Sequence, residues 1–188
     1  MNYTIFYASD GFEFVLYQNL SQEDSLKLLS YRNHVNVRKW MFNSDEITQK
    51  NHLKFIDNLK NNDEKVYCIV LRKNKIIGSI NYNAIEEGEY MTGFFLNPSL
   101  QSSGIGLYFE YIYLKFFFEH LEAKMIKAIV KKDNYAMIKI HELCDFKESS
   151  SQSSKYSNYE FTLKEYINIP DNINDFISQL TLKYKIKK

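Results

Sequence analysis

The chain has 188 residues and a formal net charge of +1, with 45% apolar and 16% aromatic residues. That composition excludes a disordered chain and provides no global electrostatic pull toward nucleic acid. It bounds the protein to one domain with a densely packed interior. The two cysteines, Cys68 and Cys144, lack CxxC or His/Cys ligand spacing. They read as buried free thiols of a reducing compartment, with no disulfide and no metal centre. The N-terminal stretch "MNYTIFYASDGFEF" lacks the basic and apolar regions of a signal peptide. The apolar run from Leu107 to Leu121 is interrupted by Glu110, Lys115, Glu119 and His120 and is too short to span a bilayer. A soluble cytoplasmic protein is expected, with no membrane or nucleic-acid partner; a homodimer is compatible with these features.

Phe12 to Leu20 reads as a strand, ending at Ser21, which can N-cap a helix carrying Leu26, Leu28 and Leu29. An irregular stretch follows, mixing Arg32, His34 and Arg38 with Trp40, Met41 and Phe42. Thr48 or Asp45 caps a second helix with Leu53, Ile56 and Leu59 on its apolar face and Phe55 at the edge. Val66 to Arg72 and Ile76 to Ile85 form a hairpin across Lys73-Asn74-Lys75. Glu89 to Leu96 is the third strand of this meander, stopped by Asn97-Pro98. Gly106 to Leu121 is apolar almost all round and reads as a buried helix. Met125 to Lys131 is a strand, Asn134 opens a helix containing Met137, Ile138, Ile140, His141 and Cys144, and Tyr159 to Tyr166 is a last strand. Ile173, Phe176, Ile177, Leu180 and Tyr184 share one face of an amphipathic C-terminal helix capped by Asp171 and ending in a basic tail. The order is mixed α/β. Residues 1–166 read as the domain, and 167–188 as a C-terminal helix and tail.

The segment "PSLQSSGIG" (98–106) joins the third meander strand to the buried helix. A P-loop needs Lys-Ser/Thr after its second Gly, which is absent here. A dinucleotide fingerprint needs a third Gly at position 109, where Phe109 stands. What remains is Q-x-x-G-x-G, made by Gln101, Gly104 and Gly106. Backbone N–H groups of such a turn, backed by a helix dipole, can bind a pyrophosphate without a cationic side chain.

"GFFLNPSLQSSGIG" resembles the acetyl-coenzyme A site of the GNAT N-acetyltransferases. "NYAMIKIHELCDF" is similar to that family's later helix, N-x-x-A-x-x-L-Y-E-K-x-G-F, with matches at Asn134, Ile140, Glu142 and Phe146. The resemblance spans Phe12 to Tyr166. It implies an acyl-CoA N-acyltransferase fold, a central mixed, mostly antiparallel sheet flanked by helices, with the C-terminal helix as an addition. It also implies acetyl-CoA as co-substrate, bound by Phe94, Phe95, Leu96, Gln101, Ser102, Ser103, Gly104, Ile105, Gly106 and Asn134.

The stretches Tyr31 to Phe42 and Asn51 to Lys60 resemble the acceptor side of the nucleotide-sugar N-acetyltransferases of the pseudaminic acid pathway. Those enzymes acetylate the 4-amino group of a UDP-linked 4-amino-4,6-dideoxy sugar. The resemblance implies a small-molecule UDP-amino-sugar acceptor. Arg32 and His52 would serve its diphosphate, and Trp40, Met41, Phe42 and Phe55 its flat and apolar parts. Bland roles stand beside these: a surface ion pair for Arg32, a core position for Trp40, a solvated one for His52. Two other functions remain open, a protein N-terminal acetyltransferase of the ribosomal-protein type and a non-catalytic acetyl-CoA-binding GNAT module.

The family's thiol proton donor is a Tyr, and the matching position here is His141. At an ordinary pKa of about 6.5, roughly a quarter of an imidazole is cationic at pH 7, so His141 is the candidate acid. The alternative is that it only hydrogen-bonds a neighbour and solvent supplies the proton. Glu89 is the candidate base, with a water chain or a purely structural ion pair as alternatives.

Overall fold

The structure, a computed structural model, describes residues 3–62, 64–101, 104–150, 153–168 and 175. The expected C-terminal helix lies almost wholly outside the described residues. The strands are ordered β1-β2-β3-β4-β5-β6-β8-β7 in an eight-stranded mixed sheet with flanking helices. The chain divides into two compact units, Met1–Ala84 with Thr92–Gln101, and Ile85–Met91 with Ser102–Lys188.

The first unit begins with β1 (Tyr7–Ser9) and β2 (Phe12–Leu16), paired antiparallel with Ser9 opposite Phe12. Their two-residue turn, Asp10-Gly11, has positive φ at both positions (53° and 77°), as a type I′ hairpin turn requires. β2 is shorter than expected because the chain leaves the sheet at Tyr17, in a 3-10 turn over Tyr17–Asn19. The buried Tyr17 phenol is held there by the Ser79 hydroxyl at 2.5 Å. Ser21 caps α1 (Gln22–Asn33) through the Asp24 N–H. α2 (Val35–Arg38) is a short extra turn, and Thr48, not Asp45, caps α3 (Gln49–Leu59).

β3 (Lys65–Arg72) and β4 (Lys75–Glu86) pair with Arg72 opposite Lys75. The expected three-residue turn is therefore the pair Lys73-Asn74, both with positive φ. Val15, Tyr17, Leu28, Leu59, Ile69, Leu71 and Ile76 form the core of this unit, with Phe55 and Phe95 packed at its margin.

The second unit carries α4 (Ile105–Lys115), which continues as a π-helical turn over Phe116–His120. Tyr108, Phe109, Ile112, Tyr113, Leu114, Phe116 and Phe117 are buried, as an apolar helix with no polar face demands. β6 (Met125–Lys131) is followed by α5 (Tyr135–Leu143), β7 (Lys147–Ser149) and β8 (Tyr156–Thr162). β8 pairs antiparallel with both β6 and β7. It stops at Thr162, because Thr162 and Glu165 form a capping box that starts α6 (Leu163–Ile167). The expected strand to Tyr166 thus ends four residues early. Cys68 and Cys144 are buried free thiols. Among the described residues no helix is long and apolar enough to cross a membrane.

β5 (Glu89–Leu96) ends on a buried side chain that decides where the following turn lies. The Asn97 amide group donates to the Ile76 carbonyl (3.0 Å), and its backbone N–H donates to Ile77 (2.7 Å). Its side-chain oxygen accepts from the Ser99 N–H (3.0 Å) and the Ser99 hydroxyl (2.9 Å). Asn97→Ala strands the Ile76 carbonyl and the Ser99 N–H together. It should lower unfolding free energy by about 1–3 kcal/mol, seen as a lower urea midpoint at unchanged m-value.

Candidate active site

After Asn97 the chain makes a single 3-10 turn over Pro98–Leu100 and straightens at Gln101 (φ −61°, ψ 146°). Gln101 Nε2 lies 3.5 Å from the Asn36 carbonyl, at the limit of a hydrogen bond. Ser102 and Ser103 lie outside the described residues. Gly104 is the N-cap of α4 in the left-handed region (φ 80°), and no side chain caps the helix. Among the described residues a Cβ at 104 would meet no atom within 4 Å, so the glycine answers to backbone conformation. Ile105 and Gly106 form the first turn of α4. The first N–H groups of a helix have no intrahelical acceptor, and Gly104 has no side chain to replace it.

Phe94, Phe95 and Leu96 are all half-buried. The one-in, one-out alternation expected of this strand is absent over its last residues. Beside them, a Cβ on Gly93 would press to 3.3 Å on the Asn81 side-chain oxygen. Asn134 caps α5, its side chain accepting from the Met137 N–H. It holds the helix start.

Among the residues expected to serve an acceptor, the Arg-Asn pair at 32–33 organises the loop that follows α2. Asn33 exchanges two hydrogen bonds with the Ile47 backbone (2.8 and 2.9 Å). Arg32 Nη2 donates to the Asn43 carbonyl at 2.7 Å. Arg32 is half-buried; burial, joined by the nearby Arg38 charge, lowers its pKa. Trp40 and Met41 are half-buried, with Lys39 Nζ 4.9 Å above the indole, and Phe42 is 65% exposed.

Two of the expected acceptor residues are used elsewhere. His52 is buried, and its Nε2–H donates to the Ser25 carbonyl at 3.0 Å; burial holds its pKa below the usual imidazole value. His52, Phe55, Ile56 and Leu59 follow i, i+3, i+4, i+7 spacing, so His52 lies on the core stripe of α3. Phe55 packs edge-on against Tyr67 at 4.9 Å, which makes it a wall of the core.

The expected catalytic pair also changes meaning. His141 is 2% exposed, stacked on Phe146 at 4.1 Å and edge-on to Tyr159. Burial pushes its pKa down to about 3, so no imidazolium is present at neutral pH to act as a general acid. Glu89 is engaged by Lys127 Nζ at 2.9 Å. That ion pair is the structural role foreseen as its alternative.

Residues 15–147 match the acetyltransferase (GNAT) domain family. The chain belongs to the GNAT acetyltransferases. Acetyltransferase PseH of Campylobacter jejuni subsp. jejuni (strain 81-176) is 32% identical over 122 residues, 65% of this chain and 75% of that protein. PseH of strain NCTC 11168 is 29% identical over 126 residues, 67% of this chain and 78% of that protein. Among solved structures, Campylobacter jejuni N-acetyltransferase PseH superposes with a TM-score of 0.68 at 20% identity, over 81% of this chain and 99% of that chain. Spermidine N-acetyltransferase from Vibrio cholerae, with CoA and spermine, gives 0.74 at 14% identity, over 85% and 100%. The two solved structures share the fold. As a GNAT acetyltransferase, this chain is an N-acetyltransferase enzyme.

One buried group of this GNAT domain escaped the sequence reading, in which it was only an interruption of an apolar run. Glu110 on α4 is fully buried, and neither carboxyl oxygen has a hydrogen-bond partner among the described residues. Its Oε1 lies 4.0 Å from His141 Nε2, too far for a hydrogen bond. Geometry alone would permit an ion pair, but burial raises the Glu110 pKa to about 8 while lowering that of His141. Both groups are therefore neutral at pH 7. Glu110, raised from 4.5, contributes stability that is lost as pH climbs from 4.5 to about 8. His141, lowered from 6.5 to about 3, contributes stability that is lost as pH falls through that interval. The two slopes oppose each other below pH 6.5, leaving Glu110 alone above it. Wild-type unfolding free energy should fall by roughly 1.4 kcal/mol per pH unit between about pH 6.5 and 8. Glu110→Gln should be flat there, as read from urea melts across that range.

Proposed function

We propose that this enzyme acetylates the 4-amino group of a UDP-linked 4-amino-4,6-dideoxy sugar, in pseudaminic acid-type biosynthesis. Its co-substrate is acetyl-CoA. The observation that carries the acceptor is the 32% identity with PseH over three-quarters of that protein. The local chemistry supports it: Arg32, half-buried and fixed in direction by the Asn43 carbonyl, suits an anionic acceptor. A polyamine would be repelled by the same guanidinium. The likeness to spermidine N-acetyltransferase stands at 14% identity and carries the fold alone.

The reaction is read as direct transfer within a ternary complex. The neutral amine adds to the thioester carbonyl, forming the C–N bond and an oxyanion. Collapse of that adduct breaks the C–S bond and releases the coenzyme A thiolate. Backbone N–H groups of β5 hold the tetrahedral oxyanion. The donor's pyrophosphate rests on the turn from Gln101 to Gly106, against the uncapped start of α4. With His141 neutral and Glu89 paired, solvent takes the amine's proton and returns one to the coenzyme A thiolate. A thioester is already activated, so no covalent enzyme intermediate is needed.

Free-thiol release should be measured with acetyl-CoA and the UDP-amino sugar, an N-terminal peptide, spermidine, or no acceptor. Turnover is expected on the sugar nucleotide alone. Turnover on peptide but not on sugar nucleotide would overturn the acceptor, and no turnover on any acceptor would leave a non-catalytic acetyl-CoA-binding role. The donor site has its own test. Gly104→Val should weaken acetyl-CoA binding by at least about tenfold, because the side chain fills the space above the turn. Unchanged affinity by calorimetry, with native circular dichroism, would move the donor elsewhere.

A further inference from the structure

We propose that Arg38 is a second anion-binding arm beside Arg32, and that the two together clamp the diphosphate of the acceptor. This rests on the nucleotide-sugar reading above and names a residue that the reading did not include. The two arginines end successive helices, Arg32 in the last turn of α1 and Arg38 at the end of α2. Each is tied by one nitrogen to a neighbouring carbonyl of the same loop. Arg32 Nη2 donates to Asn43 (2.7 Å), and Arg38 Nη1 donates to Ser44 (2.9 Å). Those bonds set the direction of both guanidinium planes before any ligand arrives.

What is left open to a ligand is the outer part of each group: the Arg38 side chain is 33% exposed and Arg32 is half-buried. Their inner nitrogens, Arg32 Nη1 and Arg38 Nε, are closed to solvent and have no hydrogen-bond partner among the described residues. Both cations are thus held with part of their charge unsatisfied. The counter-charge at hand is slight: Glu46 Oε1 lies 3.6 Å from Arg38 Nη2, on a side chain 71% exposed. Exposed pairs of that kind contribute little. Two like charges near enough for Arg38 to perturb Arg32, each partly exposed, suit a ligand that brings two linked anionic groups. A diphosphate does so, and two planar forks match its phosphoryl oxygens better than ammonium groups would.

Acetyl-CoA also carries a diphosphate, and Gln101 of the donor turn reaches toward Asn36 on α2. The acceptor is favoured because Q-x-x-G-x-G already provides a backbone site for the donor's pyrophosphate. The two sources are separable by calorimetry with UDP, UMP, inorganic pyrophosphate and acetyl-CoA, on wild type, Arg38→Gln and Arg38→Lys. Wild type should bind UDP at least about tenfold tighter than UMP. Arg38→Gln should cut UDP and pyrophosphate affinity by about 10–100-fold, with UMP and acetyl-CoA changed by less than about threefold. Arg38→Lys, which keeps the charge and loses the fork, should fall between them. Its folding is the control against collapse of the loop.

An unchanged UDP-to-UMP ratio in both variants overturns the clamp, as does failure of wild type to bind UDP or pyrophosphate. A loss confined to acetyl-CoA overturns it too, by assigning Arg38 to the donor. If pyrophosphate binding depends on Arg38 while the UDP-amino sugar is never acetylated, the anion clamp stands and the sugar-nucleotide acceptor falls. If the sugar is acetylated with the same KM in Arg38→Gln, the acceptor stands and the clamp falls.

Discussion

The end of β5 depends on Asn97, whose buried side chain bonds three backbone or hydroxyl groups and whose backbone N–H bonds a fourth. Two of its bonds tie the end of β5 to β4 through Ile76 and Ile77, and two organise Ser99. Proline follows at once, and a strand cannot continue through it without losing a ladder bond. The chain is therefore stopped, turned and released at Gln101 in an extended conformation. In the second unit the left-handed Gly104 starts α4 and makes no side-chain cap. A capping Ser or Asp at 104 would satisfy one of the first helical N–H groups internally. Helix stability is given up locally, as the donor site proposed above would require.

The loop after α2 is held in a similar way, by side chains. Asn33, Arg32 and Arg38 bond to the backbone of Asn43, Ser44 and Ile47. A loop with few apolar anchors is held in one shape by hydrogen bonds from helices that are themselves packed. Ordering of this kind before binding reduces the entropy that an acceptor would otherwise have to overcome.

What was legible in the sequence divides by the range of the interactions concerned. The Ser21 cap and the meander strands depend on neighbours a few residues away, and they stand where the pattern placed them. Two local signals were present but unread: Asp10-Gly11 between alternating strands, and Thr162-Leu-Lys-Glu165 as a capping box. His52 was also readable, since its spacing to Phe55, Ile56 and Leu59 puts it on a core stripe. Glu110 and His141 were not. A lone carboxylate in an apolar helix reads equally as an exposed gap or a buried acid, and only the packing of α5 decides. The spare donors of Arg32 and Arg38 were equally hidden, because they depend on which loop carbonyls the guanidinium groups reach.

His141 stands where the family pattern has Tyr, and its surroundings explain why the exchange need not transfer the Tyr's role. A phenol can donate a proton while staying neutral in its resting state, whereas an imidazole becomes a useful acid only as a cation. Phe146 and Tyr159 pack against the ring, and the facing Glu110 is itself held neutral by burial, so no counter-charge stabilises that cation. A thiol with an ordinary pKa of about 8.5 is, however, a tolerable leaving group that water can protonate at neutral pH. Loss of a positioned acid is then least damaging where expulsion of the thiolate is easy. In the mechanism proposed above, amine attack and oxyanion stabilisation would then carry the barrier, and positioning of the acceptor would matter more than a proton donor at 141.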